Sequence, residues 1–162
     1  MEQKTRKQTR LKEYDYSSAG VYFITMCVKD KKPLLWDNVG ASIARPLDTR
    51  LSAYGQIVDD AIRQIPTHYN SVKIDNYVVM PNHIHLLLSI EGDIDGRAML
   101  APTISQVAQQ MKGYVSKQIG YSIWQKLFID HIIRNERDYI EHYTYIDNNP
   151  AKWELDKLYV EI

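Results

Sequence analysis

Val78-Val79-Met80-Pro81-Asn82-His83-Ile84-His85-Leu86-Leu87-Leu88-Ser89-Ile90 is the stretch that decides the fold. Its composition predicts two β-strands joined by a tight turn at Pro81-Asn82. Because side chains alternate between the two faces of a strand, one face of the second strand is wholly apolar and must pack against other elements. The other face begins with the imidazoles of His83 and His85, which the alternation brings side by side.

The pair His83 and His85 has two interpretations. Neutral imidazole is a common metal ligand, so two imidazoles on one strand face can form a platform for one ion. Two hydrogen-bonded histidines at the start of a strand, near a sheet edge, would give the same pattern. The pair alone does not choose between a metal site and a structural role.

The composition indicates a single globular domain. The chain has 162 residues, of which 44% are hydrophobic, and this is enough for one domain with its own core. No apolar run approaches the ~20 residues of a membrane span, and the charged N-terminus does not resemble a signal peptide. The single cysteine, Cys27, excludes an internal disulfide, so the expected setting is cytoplasmic. We predict one domain over residues 1–162 with a basic arm over residues 1–20.

The predicted elements alternate between strands and helices. Apolar side chains at helical spacing indicate two helices before the last strand, and Asn135 is a good N-cap for a third. In chain order the elements are a strand over 21–29, a helix over 51–65 that Pro66 ends, strands over 71–80 and 83–90, a helix over 103–119, a strand over 122–133 and a helix from 136 to about 149.

This order is typical of a ferredoxin-like split βαβ fold. The first six elements match it, with an antiparallel sheet and helices on one face, and the last helix is an addition at the C-terminus. The fold class is therefore α+β.

The formal net charge is zero, but the charges are unevenly distributed along the chain. Residues 96–129 contain no acidic residue. Basic residues mixed with aromatic rings suit a nucleic-acid strand, since cations meet phosphates and rings stack on bases. An ordinary solvated face would look similar. The candidate phosphate contacts are Arg10 in the arm, Lys112 and Lys117 on the second helix, and Arg134 before the third helix.

The predicted third helix places its tyrosines on two different sides. At about 100° per residue, one side collects Tyr139, Ile140, Tyr143 and Ile146, which we interpret as the core stripe. Tyr145 falls on the polar side, one turn before Asn149, so the two side chains lie over one another. An exposed tyrosine is the simple interpretation, and a reactive hydroxyl is the functional one.

These residues predict one site if the third helix crosses the histidine face, and its chemistry would be phosphodiester transfer. Tyrosine is protonated at neutral pH, with a reference pKa of about 10, so it needs help to attack. A divalent metal can polarise a phosphate and neutralise developing charge. His83 and His85 would hold the ion, Asn149 would add an oxygen ligand, and Tyr145 would be the nucleophile. Such mixed ligation suits Mn²⁺ more readily than Mg²⁺.

The sequence resembles the single-tyrosine HUH transposases, in particular their REP-associated branch. The resemblance extends over nearly the whole chain, in the family's order. Its matching segments are Asp15-Tyr16-Ser17, Tyr22-Phe23-Ile24-Thr25, Tyr77 through His85, Trp124-Gln125, Asp130 through Asn135, and Tyr145 through Pro150.

The resemblance implies an HUH nuclease fold that acts on single-stranded DNA. It implies that Tyr145 forms a 5′-phosphotyrosine link and releases a 3′-hydroxyl. It also implies a divalent ion, Mg²⁺ or Mn²⁺, on His83 and His85, with Asn149 completing the metal shell. The implied substrates are imperfect hairpins at repeat or element ends.

Two questions stay open at the level of sequence. The chain could instead be a domesticated, non-catalytic module that binds single-stranded nucleic acid, or a metal-dependent hydrolase that uses water. It could act as a monomer in cis or as a homodimer that exchanges the tyrosine helix.

Overall fold

The structure, a computed structural model, describes residues 19–37, 51–92 and 102–160. Arg10 and the arm up to residue 18 lie outside the described residues. The strands are β1 (Gly20–Cys27), β2 (Val72–Val79), β3 (His83–Ile90) and β4 (Ile129–Ile133). The α-helices are α1 (Ala53–His68), α2 (Ile104–Ile119) and α3 (Glu136–Asn148), and short 3-10 helices cover Lys29–Lys31 and Pro150–Leu155.

The four strands form one antiparallel sheet in the order β2-β3-β1-β4. This arrangement confirms the α+β, ferredoxin-like split βαβ prediction. The register pairs Thr25 of β1 with His85 of β3, and Cys27 with His83. The histidine strand is therefore central, and a β1 side chain stands beside each imidazole.

The two sheet faces carry separate cores. The apolar face of β3 packs with β1 and with the inner sides of α1 and α2, through buried residues that include Ile24, Ile62, Ile84, Leu86 and Met111. The histidine face carries a smaller cluster that comprises Trp36, Val78, Met80, Leu87, Ile146 and Trp153. Helix α3 and the C-terminal 3-10 helix thus cover the histidine face, as the one-site hypothesis requires.

The helix ends follow local sequence signals. The Ser52 hydroxyl accepts a hydrogen bond from Gly55 N at 3.0 Å at the start of α1. Thr103 and Gln106 form a capping box on α2, which ends at Gly120 with a φ of 97°, a conformation that glycine adopts easily. Asn135 caps α3, because its side chain accepts from Asp138 N at 2.9 Å.

Two predicted boundaries are wrong. Helix α1 continues past Pro66 to His68, and Tyr69 N still donates to Ile65 O at 3.0 Å. A proline near a C-terminal end removes one backbone donor without disrupting the residues that follow. The last strand covers only Ile129–Ile133, whereas Trp124 forms an isolated bridge with Val28.

The predicted core stripe of α3 is also wrong in part. Ile146 is 1% exposed, but Ile140 and Tyr143 are 55% and 38% exposed. The side facing the sheet instead runs through Tyr139, His142, Ile146 and Asn149. This inner side is half polar because it lies over the polar histidine face, so hydrophobic periodicity identifies the wrong stripe.

No helix within the described ranges combines the length and the apolar character that crossing a membrane requires.

Candidate active site

His83 and His85 are buried beneath α3 and the C-terminal segment, with 0% and 4% exposure. Their Nε2 atoms face each other at 3.1 Å. Strand alternation explains this arrangement, since residues two apart on β3 project from the same face. Two ring nitrogens therefore meet at one buried point.

The opposite nitrogen of each ring is held by a hydrogen bond. His83 Nδ1 lies 2.7 Å from Asn82 Oδ1, and a carboxamide oxygen only accepts, so the His83 proton is on Nδ1 and its Nε2 carries a lone pair. His85 Nδ1 lies 2.8 Å from the Thr25 hydroxyl, which can donate or accept. When Thr25 accepts, both Nε2 lone pairs become available to a cation.

Two buried oxygens in the part of the chain that covers this face have no hydrogen-bond partner among the described residues. They are Asn149 Oδ1 and Asp156 Oδ2. Asp156 Oδ2 lies 3.6 Å from His83 Nε2, and ligand atoms of His83, His85 and Asp156 all lie within 4.8 Å of one another. A buried oxygen without a donor is costly, and the cost disappears if a cation binds it. The donor set of imidazole nitrogens and oxygens fits a divalent ion.

Asn82 connects the site to the C-terminal segment. While its Oδ1 accepts from His83, its Nδ2 donates to Leu158 O at 2.7 Å and to Lys31 O at 3.3 Å. Asn82 is 1% exposed. One carboxamide thus fixes a histidine tautomer and anchors the segment that carries Asp156.

Tyr145 lies at the open edge of the site. Its ring centroid is 5.2 Å from that of His85, and the side chain is 45% exposed. Partial burial raises the pKa of the phenol above 10, the negative charge of Asp156 adds to this rise, and a hydrogen bond with Asn149 opposes it. The hydroxyl therefore stays protonated at neutral pH and needs activation before it can attack.

Burial lowers the pKa values of both histidines. The pKa of His83 falls to about 4, mainly through desolvation and against the attraction of Asp156. The pKa of His85 also lies well below 6.5, through desolvation and then through the neighbouring His83 and His142. Both rings are consequently neutral at pH 7, which is the form that binds metals.

This burial predicts an acid-sensitive fold. The His83 ring titrates near 6.5 in the unfolded chain and at about 4 in the folded protein. Between these values only the unfolded state binds the proton, so the free energy of unfolding falls as pH falls, by about 3 kcal/mol at ~1.4 kcal/mol per pKa unit. Urea denaturation in EDTA at pH 7 and pH 4.5 measures this loss. Over this pH change, we expect the free energy of unfolding of His83→Gln to fall by about 2 kcal/mol less than that of the parent. An equal fall in both proteins would contradict the low pKa of His83.

A second histidine cluster lies beside the site. His131 Nε2 is 3.0 Å from both carboxylate oxygens of Asp138, and His142 Nδ1 is 3.1 Å from one of them. The two imidazoles stack at 4.6 Å. Phe23 contacts both His85 and His142, with centroid distances of 5.1 and 4.6 Å. His142 is therefore held by Asp138, and Phe23 contacts both this cluster and His85.

The predicted phosphate contacts do not converge on the histidines. Lys112 and Lys117 lie on α2, which packs on the opposite face of the sheet. Lys112 Nζ donates to Gln125 O at 2.8 Å, and burial lowers its pKa. Lys117 and Arg134 are exposed.

Sequence reasoning missed Asp156, Asn82 and Thr25. Asp156 follows α3 by eight residues, in a stretch expected to be only a short tail. Its signal is Trp153, a large apolar side chain whose burial brings the chain back over the site. Thr25 would have emerged from the β1 alternation if the register with β3 had been known.

Comparisons with known proteins find an uncharacterized relative and a more distant, named one. No protein-family model matches the chain. An uncharacterized protein of Haemophilus influenzae is 33% identical in an alignment that covers 96% of this chain and 94% of that protein. The REP-associated tyrosine transposase of Escherichia coli is 27% identical over 139 residues, which cover 85% of this chain and 70% of the transposase.

A solved structure supports the same relationship. The structure of a REP-associated tyrosine transposase bound to a REP hairpin matches with a TM-score of 0.61 and 27% identity, over 85% of this chain and 70% of that one. The sequence comparison and the structural comparison therefore point to the same group of proteins. In both sequence and fold, this chain is a homologue of the REP-associated tyrosine transposases.

Proposed function

We propose that this protein is a metal-dependent nuclease and strand transferase of single-stranded DNA that uses Tyr145 as its nucleophile. His83, His85 and Asn149 would hold the divalent ion, Mn²⁺ or Mg²⁺. One observation carries the proposal: an accessible tyrosine ring lies 5.2 Å from a buried imidazole whose Nε2 faces a second imidazole. We assign the activity to a single domain that spans residues 1–162.

The residues divide the work of phosphodiester transfer. The Tyr145 oxygen attacks phosphorus, the bond from phosphorus to the 3′ oxygen breaks, and the strand keeps its 5′ phosphate on tyrosine. The phenol loses a proton and the departing 3′ oxygen gains one, so the step is balanced. The bound ion supplies charge stabilisation at the phosphate. Asn149 lies one helical turn after Tyr145. Its side chain hydrogen-bonds to the phenol and partly offsets the rise in the Tyr145 pKa.

The substrate class rests on the solved relative and on charge. That transposase is bound to a REP hairpin. In this chain a cleft of about 930 Å³ is lined by three lysines and one acid, Lys29, Lys31, Lys126 and Asp30, together with Ser122, Trp124 and Gln125. Clustered lysines attract a phosphate backbone. We therefore propose hairpin-forming single-stranded DNA as the substrate, with the exposed Lys117 and Arg134 as further phosphate contacts and Arg10 as a contact outside the described residues.

We propose that the protein acts in cis, as a monomer. Tyr145 and His85 of one chain already lie in ring contact, so the site does not need a tyrosine helix from a second copy. Ile146 of α3 is buried in the same chain's second core cluster, which would have to open if the helix were exchanged.

A non-catalytic single-strand binder is the second candidate. The lysine-lined cleft favours it, because that cleft does not require Tyr145 or the histidines. A binder would retain DNA affinity in EDTA and would cut nothing.

The test is nicking of a panel of labelled hairpin oligonucleotides, compared with duplexes of the same sequence. We expect cleavage of single-stranded hairpins in Mn²⁺, leaving a free 3′-hydroxyl, and none in EDTA. Binding without cleavage across the panel would favour the binder. Cleavage that leaves a free 5′ phosphate without attached protein would point to water as the nucleophile.

A further inference from the structure

We propose that Asp156 is an additional ligand of the ion and that ion binding fastens the C-terminal segment, residues 150–159, over the site. The inference rests on the proposed function, because it concerns the same metal site. It adds a charged donor from outside α3 to the three neutral donors already assigned.

The orientation of Asp156 is the first observation. Its two carboxylate oxygens have different surroundings. Oδ1 accepts from Leu158 N at 2.7 Å, which closes a tight turn. Oδ2 is buried without a hydrogen-bond donor and lies 3.6 Å from His83 Nε2. The turn therefore holds one oxygen and directs the other toward the histidines.

The burial of this carboxylate is the second observation. The Asp156 side chain is 3% exposed, and a buried carboxylate normally needs a cation or several donors. His83 does not supply the cation, because its ring proton lies on Nδ1 against Asn82 Oδ1 and its Nε2 carries a lone pair. Within the described residues, His83 is the only basic side chain that lies within 4.0 Å of the Asp156 carboxylate. A divalent ion between these groups would balance the charge.

The segment that carries Asp156 is tied down at few points. Trp153 is buried with its ring 6.0 Å from His83, and Asn82 holds Leu158 O. Two further backbone hydrogen bonds lie within the segment itself. They run from Asp156 N to Trp153 O and from Tyr159 N to Asp156 O, each at 3.0 Å. An ion that binds both Asp156 and the histidines would join this segment to the sheet, so metal affinity and segment order become linked.

The test measures Mn²⁺ affinity by titration calorimetry in the parent, Asp156→Asn, Asp156→Ala and Glu154→Gln. Glu154 is exposed in the same segment, so its change removes an equal charge without touching the site. We expect Glu154→Gln to match the parent. Asp156→Asn should bind about tenfold more weakly, and Asp156→Ala up to a hundredfold, since a ligand should matter no less than an outer-shell partner.

Hydrogen exchange gives a second readout that does not depend on cleavage. In the parent, Mn²⁺ should slow hydrogen exchange of the Leu158 and Tyr159 amides. In Asp156→Ala, Mn²⁺ should leave the exchange rates of these amides unchanged. Equal Mn²⁺ affinity in the parent and both Asp156 variants would overturn the inference while leaving the histidine site intact. A parent that does not bind Mn²⁺ would overturn both the inference and the proposed metal site.

Discussion

Tyr145→Phe is expected to abolish the covalent protein–DNA product and to reduce hairpin cleavage by a factor of about a thousand or more. The substitution removes one oxygen, and in the proposed reaction that oxygen is the nucleophile. The ring stays in contact with His85 and Phe23, so packing and DNA binding should be unchanged. A denaturing gel with 5′- and 3′-labelled hairpins in Mn²⁺ measures both products.

Tyr143→Phe is the matched control for this prediction. Tyr143 lies on the same helix, is 38% exposed, and loses the same hydroxyl group in the change. We expect parent-like adduct and cleavage. An adduct that persists in Tyr145→Phe would exclude Tyr145 as the nucleophile, and loss of the adduct in both variants would indicate a general effect of altering α3.

Removing either imidazole should have the second largest effect. His83→Ala and His85→Ala are each expected to weaken Mn²⁺ binding by about a hundredfold or more, and to lower cleavage at limiting Mn²⁺ in parallel. Each change removes one of two facing nitrogen donors and leaves its former partner, Asn82 or Thr25, without the ring it held. Calorimetric titration, followed by cleavage over a range of Mn²⁺ concentrations, separates lost affinity from lost chemistry.

His68→Ala controls for the loss of a histidine. His68 is exposed in the last turn of α1, on the face opposite the site. It should bind Mn²⁺ and cut DNA as the parent does. Undiminished Mn²⁺ affinity in His83→Ala and His85→Ala, with both variants folded by circular dichroism, would mean that these residues are structural histidines.

Much of this site could be predicted because its central parts are local in sequence. The His83–His85 pair needs only strand alternation, and the Tyr145–Asn149 pair needs only helical spacing. Antiparallel order and the split βαβ topology follow from the sequence of elements. These features depend on short-range geometry that the residue pattern already contains.

The remaining features depend on long-range packing. Asp156 reaches the site because Trp153 is buried against the histidine face, and no periodicity encodes such a return of the chain. The inner side of α3 carries His142 and Asn149 as well as Ile146, since it covers polar groups. A method that equates the buried side with the hydrophobic side must then choose Ile140, which is 55% exposed.

In the proposed reaction, the Tyr145 oxygen forms a covalent bond to the 5′ phosphate of the DNA strand. The most direct measurement is mass spectrometry of the protein after reaction with a hairpin oligonucleotide in Mn²⁺, followed by nuclease and protease digestion. We expect a nucleotide-modified peptide whose added mass maps to Tyr145. A modification that maps to another residue, or cleaved DNA with no modified peptide, would contradict this role of Tyr145.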